Sequence, residues 1–273
     1  MDKKQTTNKK QKTSRTKPKK SWRRTTLIIL ALLLWTLASV IGAQLIVGLI
    51  MIPIVGEESF RTPVMTTIYS ALSYILAMIL VIFVPPLIIS KLSRAKDSKD
   101  KPIKINREEL GLRGWPTWTD IGLAPVGFIV QLIFSMLLVG LFSLFPWFDV
   151  EEAQDVGYNV LNGGLDRIVA FISLVVIAPI AEEIIFRGWL YGKIRQRLSG
   201  QMTEIAGMAL SIFLVSLLFG VVHMQWNVGV NVFAVSVVLC GLREITGTIY
   251  SGILVHMLKN GMAFYFLYVA GVA

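Results

Sequence analysis

Seven apolar runs separated by polar segments set the frame of the chain. They cover about Thr26–Ile50, Pro63–Pro85, Ile121–Phe145, Ile168–Tyr191, Ile205–Met224, Val228–Leu242 and Thr248–Ala270. Most of them reach the roughly 20 apolar residues that an α-helix needs to cross the hydrocarbon layer of a bilayer. The sixth run is the shortest. The first follows basic residues but extends from Thr26 to about Pro53. That is longer than the roughly 7–15 apolar residues of a cleaved signal sequence, so it reads as a retained helix. Pro85-Pro86 is expected to kink or end the second helix. The pattern predicts an all-α fold, a polytopic transmembrane helical bundle with about seven spanning helices.

Composition agrees with that frame. Hydrophobic residues make up 54% of the chain and charged residues 16%, against roughly 25% charged in soluble domains. The net charge of +10 is confined to residues 1–24, which hold eight Lys, three Arg and Asp2. It therefore belongs to a tail and not to a nucleic-acid-binding surface. Residues 1–25 are expected to be a disordered basic cytoplasmic tail drawn to anionic lipid head groups. Lys91–Thr119 carries eight basic and four acidic residues, and Lys193, Arg195 and Arg197 follow the fourth run. The segments with Glu57 and Glu58, and with Asp149, Glu151, Glu152, Asp155 and Asp166, are acidic. Basic segments stay in the cytoplasm, which puts the N-terminal tail there and the C-terminus outside, in a multi-pass protein of the cell membrane. Arg107–Trp115 is expected to form a short amphipathic segment at the interface, with Trp22, Trp115, Trp118 and Trp147 as anchors.

Cys240 is the only cysteine. No intrachain disulfide is possible, and the residue reads as a small buried hydrophobe. No internal repeat, phosphate-binding loop, H-E-x-x-H or G-x-S-x-G is present. Nor are there the paired Gly/Pro-interrupted segments of inverted-repeat transporters.

Chemistry concentrates in Ala178-Pro-Ile-Ala-Glu-Glu-Ile-Ile-Phe-Arg-Gly188, at the end of an apolar run. Charges in a bilayer cost several kcal/mol unless paired or solvated. Glu183 and Arg187 are four residues apart and share a helix face, so they are expected to neutralise each other. Glu182 is rotated by about 100° and lacks that arginine. The only two histidines, His223 and His256, also fall in apolar runs. Phe219 precedes His223 by four residues and is expected to orient its imidazole, and Asn260 follows His256 by four. If these faces meet, one carboxylate, two imidazoles and one amide form a cluster. Such a cluster can activate water and donate hydrogen bonds to an oxyanion, or hold a metal. Lys259 is expected to snorkel or pair with an acid such as Glu244, with contact to a substrate carboxylate as the alternative. Asn227 and Asn231 are expected to serve turns and packing, with lining of the cavity as the alternative. Depths agree if the fifth helix is strongly tilted or starts outside the bilayer, or, as is favoured here, if the fourth helix continues through Trp189–Leu198, which brings Glu182 to mid-membrane.

Glu182-Glu183-x-x-x-Arg187, Phe219-x-x-x-His223 and His256-x-x-x-Asn260 resemble, in order and spacing, the three motifs of the CPBP intramembrane protease family. That family includes CAAX prenyl endopeptidases of the Rce type and bacterial (Abi-type) relatives linked to bacteriocin processing and self-immunity. Ala178-Pro179, Gly188 and Ser251-Gly-Ile-Leu-Val-His256 agree as well. The resemblance covers about residues 168–265. It implies a polar cavity within the membrane, reached from the cytoplasmic side and the lipid. It implies that Glu182 and His223 activate the attacking water, that His256 and Asn260 stabilise the oxyanion, and that Glu183, Arg187 and Phe219 support the site. The expected organisation is the tail, an N-terminal pair of helices with their cytoplasmic loop over 26–120, and a catalytic helical core over 121–273. The expected activity is that of an intramembrane endopeptidase cleaving a peptide or membrane-associated protein. The alternatives are a non-catalytic scaffold or regulator of the same family and, on the buried ionisable groups alone, a transporter. No cofactor is expected to be required. A divalent metal such as Zn, if present, would take Glu182, His223 and His256. The expected partners are the substrate and membrane lipid, with no nucleic acid.

Overall fold

The computed structural model describes residues 22–87, 106–150, 156–158, 161 and 163–271. The basic tail up to residue 21 and the acids Glu151, Glu152 and Asp155 lie outside the described residues. Seven helices are long and apolar enough to cross a membrane: α1 (Trp22–Val55), α2 (Pro63–Leu87), α3 (Trp118–Phe142), α4 (Gly164–Leu198), α5 (Glu204–Val221), α6 (Trp226–Thr246) and α7 (Tyr250–Ala270). The fold is all-α, with no β-strand among the described residues. The expected number of spans holds, while several boundaries move. α6 has 21 residues, α4 runs on to Leu198, and α5 stops at Val221. His223 therefore lies in a turn and not inside a helix. Its position in an apolar run hid this, because Met224 carries no turn signal yet adopts a left-handed φ of 56°.

Helix starts follow capping chemistry. Thr117 and Asp120 form a capping box at α3, and the Thr203 side chain accepts from the Ala206 amide at α5, each satisfying an amide that helix geometry leaves open. Pro85-Pro86 does not end α2, which reaches Leu87. Ile79–Phe83 is a π-helical segment, and in its i→i−5 register Pro85 has no N–H for the Leu80 carbonyl. Trp35 Nε1 donates to that carbonyl at 3.0 Å, tying α1 to α2.

The helices alternate in direction, so α1, α3, α5 and α7 start at the end where α2, α4 and α6 finish. Of the 27 Lys and Arg residues, 23 belong to the segments flanking this end. The opposite end has Arg61 and Arg167 against seven acids. These are called the basic and acidic ends below.

The largest core cluster joins α1, α2, α4, α5 and α6 around Phe186, Leu190, Ile194, Leu198 and Phe219. A second joins α3, α6 and α7 through Ala124, Leu239, Leu242 and Val255. The segment expected to lie as an amphipathic strip at the interface is instead a turn packed on α4. Leu110 is buried, a Cβ on Gly188 would stand 2.9 Å from the Leu110 carbonyl oxygen, and the Ile249 amide donates to Gly111 O at 3.1 Å. This closes the bundle at the basic end.

Unequal helix lengths leave space within the half of the bundle nearer the acidic end. At 1.5 Å per residue α4 is about 52 Å long and α5 about 27 Å. The α5–α6 turn, residues 222–225, therefore stops far short of the acidic end of α4. Beside it lies a cavity of about 820 Å³, whose lining includes Thr66, Phe148, Asp149, Val150, Gly157 and Met224.

The hairpin that positions this turn depends on a close crossing, since a Cβ on Gly220 would sit 2.8 Å from the Gly229 carbonyl oxygen. Backbone cannot yield as a side chain does, so Gly220→Ala is expected to destabilise the protein by about 1–3 kcal/mol. Thermal unfolding in detergent reads this, and an unchanged midpoint would contradict the crossing.

Candidate active site

At the middle of α4, Glu183 and Arg187 meet as their spacing requires. Arg187 Nη1 donates to Glu183 Oε1 at 2.8 Å, with both side chains fully buried. The guanidinium also stands 4.2 Å from the centre of the Phe219 ring, a cation–π contact that counts for more when desolvated. Glu183 Oε1 takes a second hydrogen bond from His256 Nδ1 at 3.1 Å, which locks α7 to α4. Its other oxygen is matched to a glycine, since a Cβ on Gly252 would lie 2.9 Å from Oε2.

Glu182 points elsewhere, as its 100° rotation demands. Its Oε1 accepts from the Tyr74 hydroxyl at 2.6 Å, and its Oε2 lies 3.7 Å from His256 Nε2. Tyr74 was not expected. The available signal was the recurrence of hydroxyl residues Thr66, Ser70, Ser73 and Tyr74 at helical spacing on α2, all of which line the cavity. Sequence reading also passed over Asp120. This buried residue accepts from Thr248 Oγ1 at 2.5 Å and Ser251 Oγ at 3.1 Å, fixing the start of α7 and with it the height of His256.

The two imidazoles are held differently. His223 Nδ1 is 2.7 Å from the Phe219 carbonyl oxygen. A carbonyl only accepts, so Nδ1 carries the proton and Nε2 of the neutral ring keeps a lone pair. The Phe219 ring stands edge-on to His223 at 5.0 Å and to His256 at 6.0 Å, so its orienting role extends to both. His256 Nδ1–H donates a hydrogen bond to the Glu183 carboxylate. A neutral His256 would then present a lone pair to Glu182 Oε2.

Asn260 has a structural duty that the sequence did not reveal. Ile172–Ile177 is π-helical, and the Ala178 amide bonds to Ser173 O. The next residue in that register is Pro179, which has no N–H to give Leu174 O. Asn260 Nδ2 donates there at 2.8 Å, leaving its second amide hydrogen available.

Glu182, His223, His256 and Asn260 all line the one cavity, and so do Lys259, Asn227 and Asn231. Lys259 does not pair with Glu244, because that carboxylate is taken by Tyr191 at 2.5 Å and Arg195 at 2.9 Å. Its ammonium faces the cavity instead, within electrostatic reach of Glu182 and His223. Asn227 and Asn231 belong to the wall as well as to packing. The residues that line the cavity come from the half of the bundle nearer the acidic end. Among the described residues, no three His, Cys, Asp or Glu side chains come together so as to hold a metal ion.

Residues 164–262 match the profile of the family described as type II CAAX prenyl endopeptidase Rce1-like. The match begins with α4, ends in α7 and takes in every residue of the three motifs. No curated protein and no solved structure matches the chain.

Two substitutions test this framework. Gly252→Ala pushes a methyl into Glu183 Oε2 and is expected to destabilise the fold by about 1–3 kcal/mol. Asn260→Leu leaves the Leu174 carbonyl unpaired, at about 1–3 kcal/mol. Chemical denaturation of each purified variant gives the answer, and wild-type stability in both would remove the proposed supports.

Proposed function

We propose that this chain, a CPBP-family protein by its residues 164–262, is an intramembrane endopeptidase that cleaves a peptide or membrane-associated protein by attack of an activated water. The observation that carries this reading is the convergence of Glu182, His223, His256 and Asn260 on one cavity wall, above a charge pair that is already neutralised. Glu182 and His223 hold the attacking water. The Glu182 carboxylate takes one of its protons, with the lone pair of His223 Nε2 accepting a hydrogen bond from the other. The hydroxide adds to the scissile carbonyl carbon. The oxygen that becomes negative receives hydrogen bonds from His256 Nε2–H and from the second amide hydrogen of Asn260. Collapse of the tetrahedral adduct returns the proton from Glu182 to the leaving amine, so one water is consumed per bond cut.

The arrangement supports this chemistry in three ways. Tyr74 fixes the rotamer of Glu182. The Phe219 carbonyl fixes the tautomer of His223. Lys259 adds positive potential where negative charge develops. No step needs a metal or another cofactor. The matched profile is that of a CAAX-type endopeptidase, and the substrate of this chain is proposed to be a polypeptide, with membrane lipid as the surrounding partner.

Peptides from cells carrying the wild-type protein, Glu182→Gln or His223→Ala provide the test. Loss of a general base or its partner is expected to slow cleavage by about 10²–10⁴-fold, so that one or more peptides accumulate uncut in both variants. If both process every peptide at the wild-type rate, the protein acts as a scaffold and not as a protease.

A further inference from the structure

We infer that Lys259 decides which polypeptide is cut, by binding a carboxylate of the substrate beside the scissile bond. The cutting rests on the proposed protease activity, while the anion site rests on the charges of the cavity wall. Lys259 is half-buried on α7. Among the described residues it is the only Lys or Arg on that wall, and its ammonium has no ion pair or hydrogen bond there. The two carboxylates that could have quenched it are committed. Glu244 is held by Tyr191 and Arg195. Glu182 is within electrostatic reach, but its Oε1 is taken by Tyr74 and its Oε2 is turned towards His256. A cation left unpaired at membrane depth is costly and is kept where a ligand completes it. Three N–H donors are open for that ligand.

The chemistry of the ligand follows from what a polypeptide offers. Its anionic groups are the side chains of Asp and Glu and the C-terminal carboxylate. Elsewhere the wall repels them, since its other charged side chains among the described residues are the acids Glu182 and Asp149. Repulsion at the wrong places and attraction at one place together fix a register. The place is next to the chemistry. Lys259 follows His256 by three residues and so shares its face of α7, and it directly precedes Asn260. His223 also feels its charge. Successive Cα atoms are about 3.8 Å apart. The carboxylate therefore belongs to a residue within a few positions of the bond that His256, Asn260 and Glu182 address.

The test uses purified full-length protein in detergent and synthetic peptides of random central sequence, each made with a free C-terminus and as the C-terminal amide. Mass spectrometry locates the cuts, with Glu182→Gln as the blank. For each peptide cut, kcat/KM is compared with that of its neutral isosteres, with Asn for Asp, Gln for Glu, or the amide for the free C-terminus. The wild type is expected to favour the acid at least about tenfold, the worth of one charge-assisted hydrogen bond, and chiefly through KM. In Lys259→Gln the preference is expected to disappear. In Lys259→Glu it is expected to pass to peptides with Lys at the same position. Each ratio is taken within one variant, so a general loss of rate or stability does not move it. A preference that survives amidation assigns the carboxylate to a side chain, and one lost on amidation assigns it to the C-terminus. No preference in the wild type, or the same preference in Lys259→Gln, overturns the inference. Binding of the fluorescently labelled peptides separates it from the protease reading. If the wild type cuts nothing, yet Glu182→Gln binds acidic peptides at least about tenfold more tightly than their isosteres and Glu182→Gln with Lys259→Gln does not, the carboxylate site stands and the protease reading falls.

Discussion

The buried ion pair of Glu183 and Arg187 is the interaction on which the rest of the arrangement depends. Two charges at the centre of a bundle are tolerable only as a pair with further hydrogen bonds, and removing one partner strands the other. Here the pair is extended in two directions. Arg187 lies on Phe219 of α5, and Glu183 receives His256 of α7. Three helices are thereby held at one height by a single electrostatic centre. Gly252 makes the approach possible, and Asp120 holds the start of α7 where His256 needs it.

Two further constraints turn this centre into a site. Unequal helix lengths leave the α5–α6 turn short of the acidic end, which brings His223 down to the level of Glu182 and opens a cavity above. Proline in a π-helical segment frees the Leu174 carbonyl, and Asn260 is drawn in to satisfy it. The same device on α2 is satisfied by Trp35. A residue in the third motif thus has work in the fold as well as a proposed part in the reaction, so loss of activity on changing Asn260 needs a measure of stability beside it.

Much of this was legible in the chain because it is local. Hydropathy gave seven spans, and the four-residue spacing of Glu183 and Arg187 gave their pairing and the separate direction of Glu182. The three motifs pointed to the family whose profile residues 164–262 match. What escaped was non-local or depended on a backbone detail. Tyr74 reaches Glu182 across 108 positions of sequence, and Asp120 reaches Ser251 across 131. No periodicity encodes either contact. The apolar character of residues 205–224 concealed the turn at His223, since Met224 supplies the left-handed residue without a glycine. The position of the cavity within the bundle follows from comparing the lengths of α4 and α5, and apolar runs fix such lengths poorly.

The central claim is a division of labour between adjacent carboxylates, Glu183 for the fold and Glu182 for the chemistry. Unfolding free energies of purified Glu182→Gln and Glu183→Gln test it most directly. Glutamine at 182 still accepts from Tyr74, so that variant is expected to remain within about 1 kcal/mol of wild type. Glutamine at 183 leaves Arg187 without its counter-charge in a dry interior, and a loss of about 3–5 kcal/mol is expected. Equal stabilities, or a larger loss at 182 than at 183, would contradict the account.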